Sequence, residues 1–282
     1  MGIAKAAVKL LLKEASKRPF HGTVLQLGRQ GVWLSYEELQ KASQEFQVQL
    51  SDPGDITLSH NLLGRERGCI DDLCLFKSLG FSSVKSTDKF GYENADYIFD
   101  LNDSEVPKEL NGKFDMIIDG GTLEHVFHVP NVLKNIHDLL RPGGRVFHLS
   151  PSTNHIDHGF YMFSPSLFWE FYKTNHYLIH SVNLFRYSFQ HDILPWEIYD
   201  YQPGCLEKIS MGGLDNKLYG VCCIAEKTPL STGDAIPKQQ ACSDTVKANI
   251  WEKIARNCHW IKRIFPSFFL QKAYGLKRIG RY

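Results

Sequence analysis

Short apolar runs rich in β-branched and aromatic residues recur along the chain, and they alternate with segments whose apolar residues fall three and four positions apart. Residues 23–28, 83–87, 96–99, 114–119, 145–150, 177–187 and 218–227 read as strands. Between the fourth and fifth of these, residues 129–140 place Val132, Leu133, Ile136, Leu139 and Leu140 on one helical face. That helix stops at Arg141-Pro142-Gly143-Gly144, a break that delivers the chain into the next strand. The alternation predicts an α/β protein: a mostly parallel sheet with helices on both faces.

Other stretches fall outside a minimal α/β core. Residues 29–75 predict a helix over 36–50, a Pro53-Gly54 turn and a second helix leading to Gly80, together an inserted helical cover after the first strand. Residues 188–217 show no clear period and read as a substrate-side loop. Residues 228–240, with Pro229, Gly233 and Pro237, read as a linker. Beyond it Ile250, Trp251, Ile254, Cys258, Ile261 and Phe265 predict a basic amphipathic helix within a tail over 241–282. Residues 1–22 predict a second basic amphipathic helix, so the central domain is placed at 23–227.

Charge sharpens this division. The 282 residues carry 32 Lys plus Arg against 31 Asp plus Glu. Residues 1–20 hold five basic residues against one acidic, residues 241–282 nine against two, and the body between them eighteen against twenty-eight. An acidic body repels phosphates, so nucleic acid is not expected as a partner. The basic ends suit the inner face of a membrane, a protein partner or a second copy of the chain, although docking on the core is the plainer account. No stretch approaches the roughly 18–20 consecutive apolar residues of a membrane span. Seven cysteines without a C-x-x-C pair fit a reducing cytoplasm, and no metal site is expected.

In an open parallel sheet, ligands bind beyond the carboxyl ends of the strands, and polar residues collect there. The first strand is followed by Gly28-Arg29-Gln30-Gly31, a turn that lets backbone approach a ligand. Asp88 follows the second strand and Asp100-Leu101-Asn102 the third. Asp119-Gly120-Gly121-Thr122 follows the fourth, and Pro151-Ser152-Thr153-Asn154 the fifth. A carboxylate at a strand end can accept both hydroxyls of a ribose.

Three segments, Phe114–Asp119, then Leu123-Glu124-His125-Val126, then Leu139-Leu140-Arg141-Pro142-Gly143-Gly144, resemble the class I S-adenosylmethionine-dependent methyltransferases. The resemblance covers about residues 23–227. It is nearest to a bacterial subgroup with D-G-G-T-L-E-H-V and H-G-F-Y-x-F-S-P segments, here residues 119–126 and 158–165. It implies a Rossmann-like fold and S-adenosylmethionine as cofactor, with Asp88 at the ribose, Asp100, Leu101 and Asn102 at the adenine, and Asp119 near the methionine part. The first motif departs from the family pattern. Gln26 stands where a carboxylate is usual, and Gly28 is the one expected glycine retained. Arg29 would either clamp the cofactor carboxylate or sit in solvent.

Six of the twelve histidines lie within residues 125–158. His137 is expected to face outward, and His148 lies inside a strand, so neither is a candidate. Methyl transfer to a hydroxyl needs its proton removed, a task for an imidazole that titrates near neutrality. His158 or His155 is therefore expected as the base, with His125 orienting, and with Glu124, Tyr161 and Phe163 lining the acceptor pocket. The expected activity is methylation of a small-molecule or glycan acceptor, at oxygen. The degenerate first motif keeps open an alternative, a catalytically inactive binding or assembly protein of the same fold.

Overall fold

The computed structural model describes residues 2–91, 94–188, 195–238 and 278–282. Its strands are β1 (Ile3–Ala4), β2 (Thr23–Leu27), β3 (Val32–Trp33), β4 (Ser83–Asp88), β5 (Tyr97–Ile98), β6 (Phe114–Asp119), β7 (Leu140–Pro151), β8 (Leu178–Tyr187), β9 (Glu197–Asp200), β10 (Leu218–Glu226) and β11 (Arg278–Arg281). The helices are α1 (Lys5–Ala15), α2 (Tyr36–Glu45), α3 (Leu62–Glu66), α4 (Asp72–Ser78), α5 (Val129–Leu139) and α6 (Pro165–Thr174). Nine strands form one sheet in the order β11-β9-β8-β10-β7-β6-β2-β4-β5. The half from β7 to β5 is parallel, and β10, β8, β9 and β11 add to it antiparallel. This is a Rossmann-like α/β fold.

Alternation along the strands builds two cores. Val24, Met116, Ile118, Phe147 and Leu149 point to one face, where α1, α2 and α4 cover them. Leu25, Leu27, Ile117 and Val146 point to the other, against α5 and α6. A side-chain period of two on a doubly covered sheet requires this division. The register pairs Leu27 with both Thr87 and Asp119, so the carboxyl ends of β2, β4 and β6 lie level.

The N-terminal helix spends its apolar side chains in the first core, where Val8, Leu11 and Leu12 are buried. Three of its four charges are paired as well. Lys5 and Lys9 pair with Glu38 and Glu45 of α2, and Glu14 pairs with Arg18 and with Arg145 of β7. No helix among the described residues is long and apolar enough to cross a membrane.

Several elements depart from expectation for local reasons. Helix α2 starts on a capping box between Ser35 and Glu38 and ends at Glu45 rather than residue 50, because Gln47 turns left-handed at φ 55°. The second helix of the inserted segment divides into α3 and α4 around Gly68, at φ 70°. Within 188–217, residues Glu197–Asp200 form β9, paired to β8. His137 is half-buried rather than outward, its Nδ1 2.9 Å from the Tyr177 hydroxyl. The expected C-terminal helix lies outside the described residues; of the 241–282 tail, Arg278–Arg281 form β11.

Candidate functional site

The level ends of β2, β4, β5 and β6 form a polar edge. At the end of β2, Gly28 takes φ 73°, a left-handed conformation that favours glycine, and its N–H donates to Thr87 O at 2.8 Å. The Thr122 hydroxyl donates to Leu27 O. Gln30 is buried, with its amide donating to Leu27 O and Gly28 O at 3.1 Å, and its side chain lies against Gly120.

The first motif is completed from a distance. Buried Gln26 donates through Nε2 to Asp72 Oδ2 at 2.7 Å and accepts the Gln30 N–H through Oε1 at 3.2 Å. Arg29 donates through Nε and Nη2 to Asp72 Oδ1, both at 3.1 Å. Arg29 is thus engaged by a carboxylate from the first turn of α4. Position 26 carries no charge of its own, and the inserted segment supplies one. Asp71 caps α4; the contact of Asp72 with Gln26 is tertiary and leaves no local signal.

Asp88 is half-buried, and Oδ1 accepts the Phe90 N–H at 2.8 Å. Asp100 accepts from the Asn102 N–H and side-chain amide at 2.9 and 2.8 Å and pairs with Lys89 at 2.8 Å. Burial acts to raise the Asp100 pKa, but Lys89 and Asn102 outweigh it and hold the carboxyl below its ordinary value. Leu101 is buried. Asn102 accepts the His128 N–H at 3.0 Å, so this loop is anchored to the start of α5.

Asp119 is 0% exposed and fully engaged. Oδ1 accepts the N–H groups of Thr122 and Leu123 at 3.0 and 3.1 Å. Oδ2 lies 2.7 Å from His148 Nδ1, whose Nε2 lies 2.6 Å from the Tyr172 hydroxyl. A carboxylate only accepts, so Nδ1–H donates to Asp119, and Nε2 shares a hydrogen bond with the Tyr172 hydroxyl. His148, set aside in the sequence as a strand residue, is therefore the partner of Asp119. The β6–β7 register places the two side by side, and aligning the strand ends reveals the pair.

Next to this closed network sits an open one. Glu124 lies on a single 3₁₀ turn, Leu123–His125, and its backbone oxygen accepts the N–H groups of Phe160 and Tyr161 at 2.8 and 3.3 Å. Gly159 allows that approach, since a Cβ there would stand 2.8 Å from Glu124 O. The Glu124 side chain is 0% exposed, and neither carboxyl oxygen has a hydrogen-bond partner among the described residues. Burial, and then the Asp119 charge, push its pKa up to about 8.

Two imidazoles, His125 and His158, stand beside it, and a third, His155, lies against His158. His158 Nε2 stands 3.7 Å from Glu124 Oε1, too long for a hydrogen bond. The His158 ring centroid lies 5.2 Å from that of His125 and 5.9 Å from that of His155. Burial lowers the pKa of all three. His155 Nε2 is taken by the Tyr187 hydroxyl at 3.1 Å. Tyr161 is half-buried and donates to Phe127 O at 2.8 Å, whereas Phe163 is buried in the second core against Phe168 rather than walling a pocket. Phe127 and Phe160 lie edge to face at 5.9 Å and are 60% and 67% exposed.

A family model described as a methyltransferase domain matches residues 4–193. No curated protein matches the chain. Similar solved structures include the Burkholderia thailandensis 1,6-didemethyltoxoflavin-N1-methyltransferase with bound 1,6-didemethyltoxoflavin and S-adenosylhomocysteine. It is 15% identical over 80% of this chain and 78% of its own, with a TM-score of 0.37. The trans-methyltransferase CalH in complex with S-adenosylhomocysteine is 17% identical over 79% and 57%, with a TM-score of 0.39. Geranyl diphosphate methyltransferase in complex with S-adenosylmethionine is 13% identical over 79% and 85%, with a TM-score of 0.38.

Proposed function

The chain belongs to the methyltransferase-domain family and is an S-adenosylmethionine-dependent methyltransferase, and on that premise we propose that it methylates a hydroxyl of a small-molecule or sugar-type acceptor. When bound, S-adenosylmethionine supplies a methyl group activated on a sulfonium sulfur. The strand ends fit this cofactor. A Cβ at Gly28 would meet Thr122 Oγ1 at 3.3 Å, so glycine keeps that backbone uncovered, and Asp88 Oδ2 has no partner among the described residues. Gly28 and Asp88 would hold the cofactor directly, Asp88 at the ribose and Leu101 beside the adenine. Arg29, Gln30, Asp100, Asn102, Asp119 and Gly120 would shape the walls, since the polar side chains among them are held by partners within the protein.

One observation carries the oxygen preference: imidazoles whose pKa is lowered by burial stand just past the end of β6. A neutral imidazole can take the proton of an acceptor hydroxyl, whereas an amine that is already neutral needs no such group. His155 is tied to Tyr187, and His158, which lies between His125 and His155, is taken as the base, with His125 as an orienting group and Phe127, Phe160 and Tyr161 as contacts for the acceptor's apolar part. The acceptor class is tested by offering hydroxylated and amine acceptors with labelled cofactor. Label transfer to hydroxyl compounds is expected, and transfer to amines alone would overturn the reading. His158→Ala should lower turnover by roughly 10²–10⁴-fold while cofactor affinity is retained; undiminished turnover would remove His158 from the chemistry.

A further inference from the structure

We propose that Glu124, His125 and His158 form a binding site for a divalent first-row transition-metal ion, open toward the acceptor. The ligand atoms of these side chains all lie within 4.8 Å of one another. One carboxylate with two imidazoles is a donor set that such ions prefer, and it leaves coordination positions for water or substrate. Metal–ligand bonds of about 2.1 Å place ligand atoms roughly 3–3.5 Å apart, and rotation of the two exposed imidazoles closes the remaining gap.

The second observation is the state of Glu124. Its side chain is completely buried, it points at His158 across 3.7 Å, and neither oxygen is hydrogen-bonded among the described residues. Three other buried carboxyl groups are paired: Glu14 with two arginines, Asp72 with Gln26 and Arg29, Asp119 with His148 and two N–H groups. An unmet buried carboxyl is costly, and a cation is the partner that two adjacent imidazole acceptors also call for.

The backbone holds the ligands together without help from an ion. Glu124 and His125 are neighbours on one 3₁₀ turn. The loop bearing His158 is fastened to that turn by two hydrogen bonds onto Glu124 O, and Asp157 takes the left-handed bend, φ 70°, that leads into it. His155 is excluded from the set because its Nε2 is held by Tyr187.

The metal site stands on these residues, and its part in catalysis rests on the hydroxyl-acceptor reading. An acceptor hydroxyl bound at an open position becomes more acidic. Its O–H bond breaks, the proton passes to water at the exposed mouth, and the oxygen keeps the electron pair for methyl transfer. In the loaded protein His158 is a ligand, and it takes the acceptor proton directly only when the ion is absent.

The test is a titration of the metal-stripped full chain with Co²⁺ alone, without cofactor or acceptor, followed by visible absorption. One equivalent is expected to bind with the ligand-field bands of a nitrogen- and oxygen-ligated ion, and Zn²⁺ should displace it. Glu124→Gln and His158→Ala should each weaken binding by about 100-fold or more, and His60→Ala should leave it unchanged. Mn²⁺ added to the unaltered protein should selectively broaden the ring resonances of His125 and His158, a readout that needs no variant to fold. No saturable binding, binding that survives both substitutions, or broadening confined to other histidines would overturn the site. Retained binding with no transfer to any hydroxyl acceptor would overturn the acceptor reading and leave the site intact.

Discussion

Asp119 and Glu124 are five residues apart, and each carboxyl is completely buried, yet their surroundings are opposite. Asp119 has every face occupied: two backbone N–H groups on one oxygen, His148 on the other, and Tyr172 behind His148. Glu124 has no hydrogen-bond partner for either oxygen among the described residues. The cost of burying a carboxyl is met inside the fold in the first case, and in the second it is left for a proton or an outside ligand. The same contrast separates the two halves of the site. On the cofactor side, Asp72 and Asp100 are held by Gln26, Arg29, Lys89 and Asn102. On the proposed acceptor side stand Glu124, unpaired among the described residues, two exposed imidazoles and two exposed phenylalanines.

The contrast breaks most visibly if Asp119 is removed. Asp119→Ala should cost about 3–5 kcal/mol in urea unfolding, since it strands His148 and two N–H groups in the interior. A loss below 1 kcal/mol would mean that the network is ornamental. Glu124→Gln should behave in the opposite way. With a chelator present, the Glu124 pKa lies at about 8 in the folded chain against an ordinary value of 4.5. The folded state therefore holds a proton that the unfolded chain releases. The stability this confers is complete below about pH 4.5 and is lost as pH rises through 8. Relative to Glu124→Gln, the unaltered protein should lose on the order of 3 kcal/mol between pH 5 and 9. A flat difference would show that Glu124 has found a partner after all.

Much of this arrangement can be read in the residues alone, and the remainder fails to show for physical reasons. Segments whose burial is set by their own periodicity are legible: the α5 residues Val132, Leu133, Ile136 and Leu139 are the ones that face the second core, and β6 starts and stops where its apolar run does. The two-residue strands β1 and β3 carry too short a pattern to register. The end of α2 depends on a single left-handed Gln47. At the site, the polar residues at strand ends are visible because topology gathers them, but their partners are not. Asp72 reaches Gln26 from 46 residues away, and His148 reaches Asp119 across a strand pair. Glu124 is distinguished by what it lacks, and a missing partner has no letter in a sequence.

The smallest expected effects concern the cofactor side, and they sharpen the division between scaffold and ligand contact. Arg29 and Asp88 both follow strands at the cofactor edge, but Arg29 is engaged by Asp72, whereas Asp88 Oδ2 has no partner among the described residues. Arg29→Ala leaves Asp72 with Gln26 alone, so it should lower stability by about 1–2 kcal/mol while S-adenosylhomocysteine affinity changes little. Asp88→Ala should do the reverse, weakening S-adenosylhomocysteine binding by about 1–3 kcal/mol through lost hydrogen bonds, with the unfolding midpoint unchanged. Calorimetric titration and thermal unfolding of both variants give four numbers that separate the cases. If Arg29→Ala weakens binding as much as Asp88→Ala does, Arg29 leaves Asp72 when the cofactor arrives, and the scaffold side is not finished before binding. If Asp88→Ala changes stability alone, its carboxyl serves the turn at Phe90, and the ribose is held elsewhere.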